Sequence, residues 1–309
     1  MSVYGDVSDV SYYKKVANGQ LCACAPLSLG YGSCGAVVAI GPQINGSGLE
    51  TEPYFQGTLQ EKINRPAVWC HKIVTHWLDR AAPTLGSGAL VIGAVTVGLL
   101  LATVARQYAC TLITIAGVDH GRVNYSIEKG LATQGDVVPD TSSPHGLMTP
   151  VFTYRGICIS MKLDVAKSQA SEFLTVSASD DVQEDDEEVG VDVTFEYTGK
   201  EACIQTALYT ARPGGKVAMV AMGTSIQTLP LSATHLRELD NLCVFRTANT
   251  LKMRVRLLEG IGKPGDLPSL GSRFTHRVKG LGQAGRVLKG AGRTVDGEGR
   301  LVLKAVTEP

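Results

Sequence analysis

The chain has 309 residues, 44% of them hydrophobic and 19% charged, with 35 glycines and a formal net charge of zero. That length allows one large or two medium domains with real cores. The balanced charge and a pI near 7.0 exclude the basic face that a nucleic-acid or anionic-membrane partner would need.

In chain order, the opening "MSVYGDVSDV" lacks the basic start and apolar core of a secretion signal, so a cytoplasmic protein is expected. Eight cysteines (Cys22, Cys24, Cys34, Cys70, Cys110, Cys158, Cys203 and Cys243) form no C-x-x-C pair. They read as free thiols in a reducing compartment and not as a structural zinc site. From Ala81 to Ala105 there is no charged side chain, and a run of that length could cross a bilayer. It contains Pro83, Thr84, Gly86, Ser87 and Gly88, a loop signal, and it lacks the aromatic belt and basic flank of a span. The run therefore divides into a strand over 89–92, a glycine turn, and a helix ending near 106–108.

The following segments keep this rhythm. "TLITIAG" (111–117), "VDVTFEYTG" (191–199), "GGKVAMVAMG" (214–223, entered through the turn "RPGG") and "NLCVFR" (241–246) are apolar runs of the kind buried on both faces of a parallel sheet. Helical segments are expected over 200–211 and 233–238. Alternating strands and helices predict an α/β fold with a doubly wound parallel sheet, whose ligands bind at the carboxyl ends of the strands near the first glycine turn. Residues 130–161, rich in Pro, Ser and Gly, read as an insertion loop. "SDDVQEDDEE" (179–188) reads as a solvated acidic tract. The Gly-rich tail from 280 predicts a short helix and a last hairpin through "DGEG". His71, His76 and His276 have no spacing that suggests a metal site.

The segments "GTLQEKINRPAVWCHKI", "TLGSGALVIGAVTVGLL", "FEYTGKEACIQTALYTARPGGKVAMVAMGTSIQTLPLSA" and "VFRTANT", with "FTHR" (274–277) as a weaker late match, resemble the zinc-dependent medium-chain dehydrogenases, nearest to the sorbitol, xylitol and arabinitol dehydrogenases of fungal type. The resemblance covers about residues 5–260. It implies a GroES-like β-barrel domain, here truncated, over 1–77 and 265–309. A Rossmann domain follows over 78–264, with the active site in the cleft between them. It also implies a homodimer or higher homo-oligomer, because such relatives pair through the Rossmann domain and missing lobes would leave apolar surface exposed.

Matched residue by residue, the resemblance breaks at the metal. The family holds its catalytic zinc with a Cys, a His-Glu pair and sometimes a further Glu. This chain has Asp6 at the Cys, Tyr31 at the His and Gly32 at the Glu, and it skips the segments carrying the last ligand and the four-Cys structural lobe. Zinc needs three or four N, S or O ligands converging on one point, so loss of the catalytic zinc is expected. The family's cofactor turn, G-x-G-x-x-G, reads here as Gly93, Val95, Gly98. The first and third glycines serve the turn and the helix packing, while the second would admit the pyrophosphate. The acid that should hold the ribose hydroxyls is matched by Gly117, with Asp119 two positions on and Arg122 placed to face a 2′-phosphate. No cofactor is certain on this reading, and NADP(H) stays open.

The remaining cleft residues by the same matching are Asp6, Ser8, Tyr12 and Tyr31 as acid, base or hydrogen-bond groups, and Asp9, Arg246 and Thr247 on the substrate side. Such groups in an apolar cleft can catalyse without redox change. The leading expectation is therefore a zinc-free, non-redox enzyme, a cyclase, isomerase or lyase acting on a hydrophobic small molecule of secondary-metabolite type. A zinc-independent NADP(H) oxidoreductase is the alternative, and a non-catalytic partner-binding protein the second alternative.

Overall fold

The structure, a computed structural model, describes residues 2–5, 12–15, 17–18, 21–22, 29, 32–34, 75–108, 110–138, 159–177, 190–224, 226–244 and 275–308. The chain divides into two compact units, Met1–Lys72 with Leu270–Pro309, and Ile73–Ser269.

In the first unit, strands β1 (Ser2–Gly5), β2 (Ala17–Asn18), β3 (Leu21–Cys22) and β4 (Gly32–Cys34) precede the second unit in the chain. β2 and β3 form a two-residue antiparallel ladder of their own. β1 pairs antiparallel with β4 on one side. On the other side it pairs with the last strand of the chain.

The second unit begins with helix α1 (Thr75–Ala81), strand β5 (Gly88–Ile92), helix α2 (Thr96–Ala105), strand β6 (Leu112–Gly117), helix α3 (His120–Glu128) and strand β7 (Gln134–Val137). It continues with helix α4 (Ile159–Ser177), strand β8 (Val191–Glu196), helix α5 (Glu201–Thr210), strand β9 (Ala211–Met219), helix α6 (Leu231–His235) and strand β10 (Asp240–Cys243). The six strands form one parallel sheet in the order β10-β9-β8-β5-β6-β7. Two βαβαβ halves thus meet between β5 and β8, the doubly wound Rossmann arrangement with its switch point at that seam.

Burial explains why the runs are mostly apolar. Leu90 and Ile92 join Phe173 of α4 and Ile204, Ala207 and Leu208 of α5 in one cluster. Val91, pointing the other way, is the side chain that a Cβ on Gly98 of α2 would touch. Ile113, Ile115 and Phe195 are fully buried in the neighbouring strands. Each such side chain contributes about 1.5–3 kcal/mol of transfer free energy, so an uninterrupted aliphatic strand is what a two-sided core selects.

Three expectations change. Residues 134–137, placed in the insertion loop, are the sheet's edge strand β7, where a polar sequence is tolerated because burial is partial. The same expected loop ends inside α4, which starts at Ile159; residues 139–158 and the acidic tract 179–188 lie outside the described residues. The run "RPGG" is no turn before a strand. Ala211 already pairs with Val191, the register shifts, and Lys216 pairs with Val193. Arg212 to Gly215 bulge out opposite Asp192, with Arg212 Nε 2.8 Å from Asp192 Oδ1 and Gly214 at φ +68°.

The chain then returns to the first unit through β11 (His276–Lys279), α7 (Ala284–Ala291) and β12 (Ala305–Glu308). β12 pairs parallel with β11 and antiparallel with β1, giving a four-stranded sheet ordered β11-β12-β1-β4. Val287, Leu288, Val302, Leu303 and Val306 are buried. The "DGEG" turn is made by Asp296, whose Oδ1 accepts from the backbone N–H groups of Glu298 and Arg300 at 2.9 and 2.8 Å. Its Oδ2 lies 3.1 Å from His276 Nε2, so His276 serves this corner.

Candidate functional site

The seam between β5 and β8 is where the sheet can bind a ligand. β5 ends at Ile92, and Gly93 follows at φ +117°, a conformation that disfavours every residue with a Cβ. Its N–H donates to the carbonyl of Ala116 at 2.8 Å, while the N–H of Tyr197 donates to the carbonyl of Ile92 at 2.9 Å. The turn is therefore tied to β6 on one side and to the end of β8 on the other. A Cβ on Gly98 would overlap the carbonyl oxygen of Gly93, which is why the third glycine of the pattern stays: α2 enters directly across the turn.

Val95 is the N-cap of α2, with φ −94° and ψ 167°, and its side chain makes no capping hydrogen bond. These angles are ordinary extended backbone, so Val is accommodated there without strain. The first turn of α2 carries no acidic residue. Its backbone N–H groups and the positive end of the helix dipole thus suit an anion such as a diphosphate. Val95 itself is half-buried at the head of α2.

At the end of β6, Gly117 leaves no room for a side chain. A Cβ on Gly117 would stand 2.7 Å from the Cβ of Ala94, and Ala94 is fixed in the turn. Asp119 does not replace the acid freely, because its Oδ1 caps α3 by accepting from the N–H of Arg122 at 2.9 Å. Burial lowers the pKa of the Arg122 guanidinium and neighbouring Asp119 offsets this. The corner thus keeps a cation in the first turn of α3. Gly93, Val95, Gly98, Gly117, Asp119 and Arg122 are all described, and they lie on the two adjacent turns β5–α2 and β6–α3.

At the end of β8 stands a group that the sequence reading passed over. Glu196 is fully buried. Its carboxylate accepts from the N–H of Thr198 at 2.7 Å and of Gly199 at 3.0 Å, and from the Thr198 hydroxyl. Burial nevertheless raises its pKa, against the opposing effect of those hydrogen bonds. Tyr197, held on this corner, meets Trp77 of α1 edge-on with ring centroids 5.5 Å apart. The signal that could have found Glu196 and Tyr197 is their place, the last residue of a strand at the switch point and the one after it. Asp136 on β7, beside Ala116, was also missed; burial raises its carboxyl pKa and Glu172 adds to the rise.

Of the expected cleft residues, Tyr12 sits in the helical segment 12–15 and is partly exposed. Asp6, Ser8, Asp9, Tyr31, Arg246 and Thr247 lie outside the described residues. Gly32, at the family's Glu position, is the first residue of β4. Among the described residues no cluster of three or more His, Cys, Asp or Glu converges as a metal site would. No described helix is long and apolar enough to cross a membrane.

The chain is similar to several dehydrogenases. The L-arabinitol 4-dehydrogenase of Penicillium rubens is 26% identical over 256 residues, 77% of this chain and 57% of that enzyme. The sorbitol dehydrogenase of Arabidopsis thaliana is 27% identical over 239 residues, 72% of this chain and 57% of that enzyme. This chain thus spans little more than half the length of either. Among solved structures, L-idonate 5-dehydrogenase from Escherichia coli superposes with a TM-score of 0.65 at 15% identity, covering 99% of this chain and 88% of the other. A short chain alcohol dehydrogenase from Escherichia coli complexed with NADH gives a TM-score of 0.55 at 14% identity, covering 76% of this chain and 56% of the other. No protein-family model matches the chain. Nothing in these similarities supports the expected cyclase, isomerase or lyase, and the redox alternative fits them better.

Proposed function

We propose that this chain, a homologue of the arabinitol and sorbitol dehydrogenases of the medium-chain dehydrogenase/reductase superfamily, works as an NADP(H)-dependent oxidoreductase on a small alcohol or carbonyl substrate without a catalytic zinc. The observation that carries the cofactor choice is the contact of Gly117 with Ala94. With no room for a side chain at 117, no carboxylate claims the ribose 2′-hydroxyl or repels a 2′-phosphate, and Arg122 follows in the next turn.

When bound at the switch point, the cofactor supplies or accepts a hydride. The chain's own part begins with Gly93 and Gly98, which hold α2 close across the turn so that its first N–H groups face the diphosphate. Val95 narrows that approach. Arg122 provides positive charge on the adenosine side. The residues at the metal positions, Asp6 and Tyr31, are poor zinc ligands as a set, which supports zinc-independent chemistry.

Titrating the chain with NADPH and NADH by calorimetry tests this reading. NADPH should bind at least tenfold more tightly than NADH. Tighter binding of NADH overturns the preference, and no binding of either at millimolar concentration overturns the oxidoreductase. We also infer self-association, supported by large apolar side chains such as Ile226 and Leu236 that are 89% and 86% exposed; sedimentation velocity at micromolar protein checks it.

A further inference from the structure

Two neighbouring aromatic residues at the switch point each bury a donor without an acceptor. Trp77 is 6% exposed. Its Nε1 and the hydroxyl of Tyr197 are withdrawn from solvent and have no hydrogen-bond partner among the described residues. Tyr197 lies against the turn, since its Cβ is the first atom that a side chain on Gly93 would meet, at 3.1 Å. Its backbone is held by the hydrogen bond to Ile92 and by the Glu196 carboxylate that fixes Thr198 and Gly199 behind it. Burial, with Glu196 adding to it, keeps the tyrosine pKa far above its ordinary value, so the hydroxyl stays protonated.

Buried polar groups in native chains are almost always satisfied, and an unmade hydrogen bond at a buried donor is costly. Two such donors on touching rings therefore call for a shared explanation. Their place supplies one. In a doubly wound sheet the half after the switch point holds the second mononucleotide, while the adenosine lies over the half that begins with the glycine turn. Tyr197 stands at the end of β8, the first strand of that second half, and Trp77 packs on it.

We propose that Tyr197 and Trp77 donate hydrogen bonds to the nicotinamide–ribose half of a bound dinucleotide. The inference rests on the oxidoreductase reading and adds two binding residues to it. The acceptors in that half are uncharged oxygens, of the ribose or of the carboxamide, which suit neutral donors in a buried site.

The test is calorimetric titration of the full chain with NADPH and with 2′,5′-ADP, which carries the adenosine half alone. Tyr197→Phe removes only the unpartnered hydroxyl, so its melting temperature should equal or exceed that of the wild type. The variant should bind NADPH about fivefold to tenfold more weakly, the size of one neutral hydrogen bond, and bind 2′,5′-ADP unchanged. Trp77→Phe should repeat the binding pattern, with a lower melting temperature because the smaller ring leaves a cavity. Unchanged NADPH binding in both variants would mean that the donors serve only ordered water, and overturns the proposal. Equal weakening of both ligands would mean that the substitutions act through the fold, and overturns it too. Failure of the wild-type chain to bind either ligand overturns the oxidoreductase reading itself, and this inference with it.

Discussion

The methyl group of Ala94 occupies the space that a side chain on Gly117 would need. A Cβ on Gly117 would stand 2.7 Å from the Ala94 Cβ and 3.3 Å from its backbone nitrogen. Gly117→Asp alone should therefore destabilise the chain by about 1–3 kcal/mol through overpacking and should not improve NADH binding. Combined with Ala94→Gly it should recover most of that loss and raise NADH affinity. Urea unfolding and NADH titration of the wild type, the two single variants and the double variant read both effects. If Gly117→Asp alone keeps wild-type stability and binds NADH well, crowding does not set the cofactor preference.

Gly98 sets the entry of α2. Because a Cβ there would overlap the Gly93 carbonyl oxygen, neither partner can yield without moving backbone. Gly98→Ala should cost about 2 kcal/mol or more, despite the higher helix propensity of alanine. A midpoint of urea unfolding equal to that of the wild type would contradict the close packing of this turn.

Val95 makes a different demand. At φ −94° and ψ 167° it has no conformational need of glycine, and since glycine is favoured over valine at an N-cap, the entropy cost of Val95→Gly is offset and stability should stay within about 0.5 kcal/mol of the wild type. Dinucleotide affinity should rise as the two methyl groups leave the diphosphate position. If affinity is unchanged, Val95 does not face the cofactor.

Glu196 should make stability depend on pH in a definite direction. Its pKa is raised in the folded chain, so above the unfolded value of about 4.3 the folded state binds more protons than the unfolded one. Its contribution is fully present below that value and is lost as pH rises through the folded pKa. Glu196→Gln should flatten this part of the profile. Equal slopes for the two chains in urea unfolding between the two pKa values would assign the dependence elsewhere.

Strands β5, β6, β8, β9 and β10 and helices α2, α5 and α6 of the second unit were legible in the sequence because their causes are local. A strand covered on both faces is mostly apolar along its length, and a turn with a φ as high as the +117° of Gly93 needs glycine. β7 was not legible, since an edge strand with partial burial tolerates "QGDV" and looks like loop. The bulge at Arg212 to Gly215 was not legible either, because the register of β9 depends on Val191 and Val193 in another strand. At the site, Gly93, Val95, Gly98 and Gly117 could be picked out by matching positions, whereas Glu196, Tyr197 and Trp77 carry no motif.

By itself, then, the sequence determined the doubly wound α/β class and the place of the glycine turn, both of which follow from residue type at known spacing. Only the tertiary structure decided why Gly117 bears no side chain and which donors stand unpartnered at the seam. Both depend on distances between residues far apart in the chain, which packing creates and no local pattern encodes.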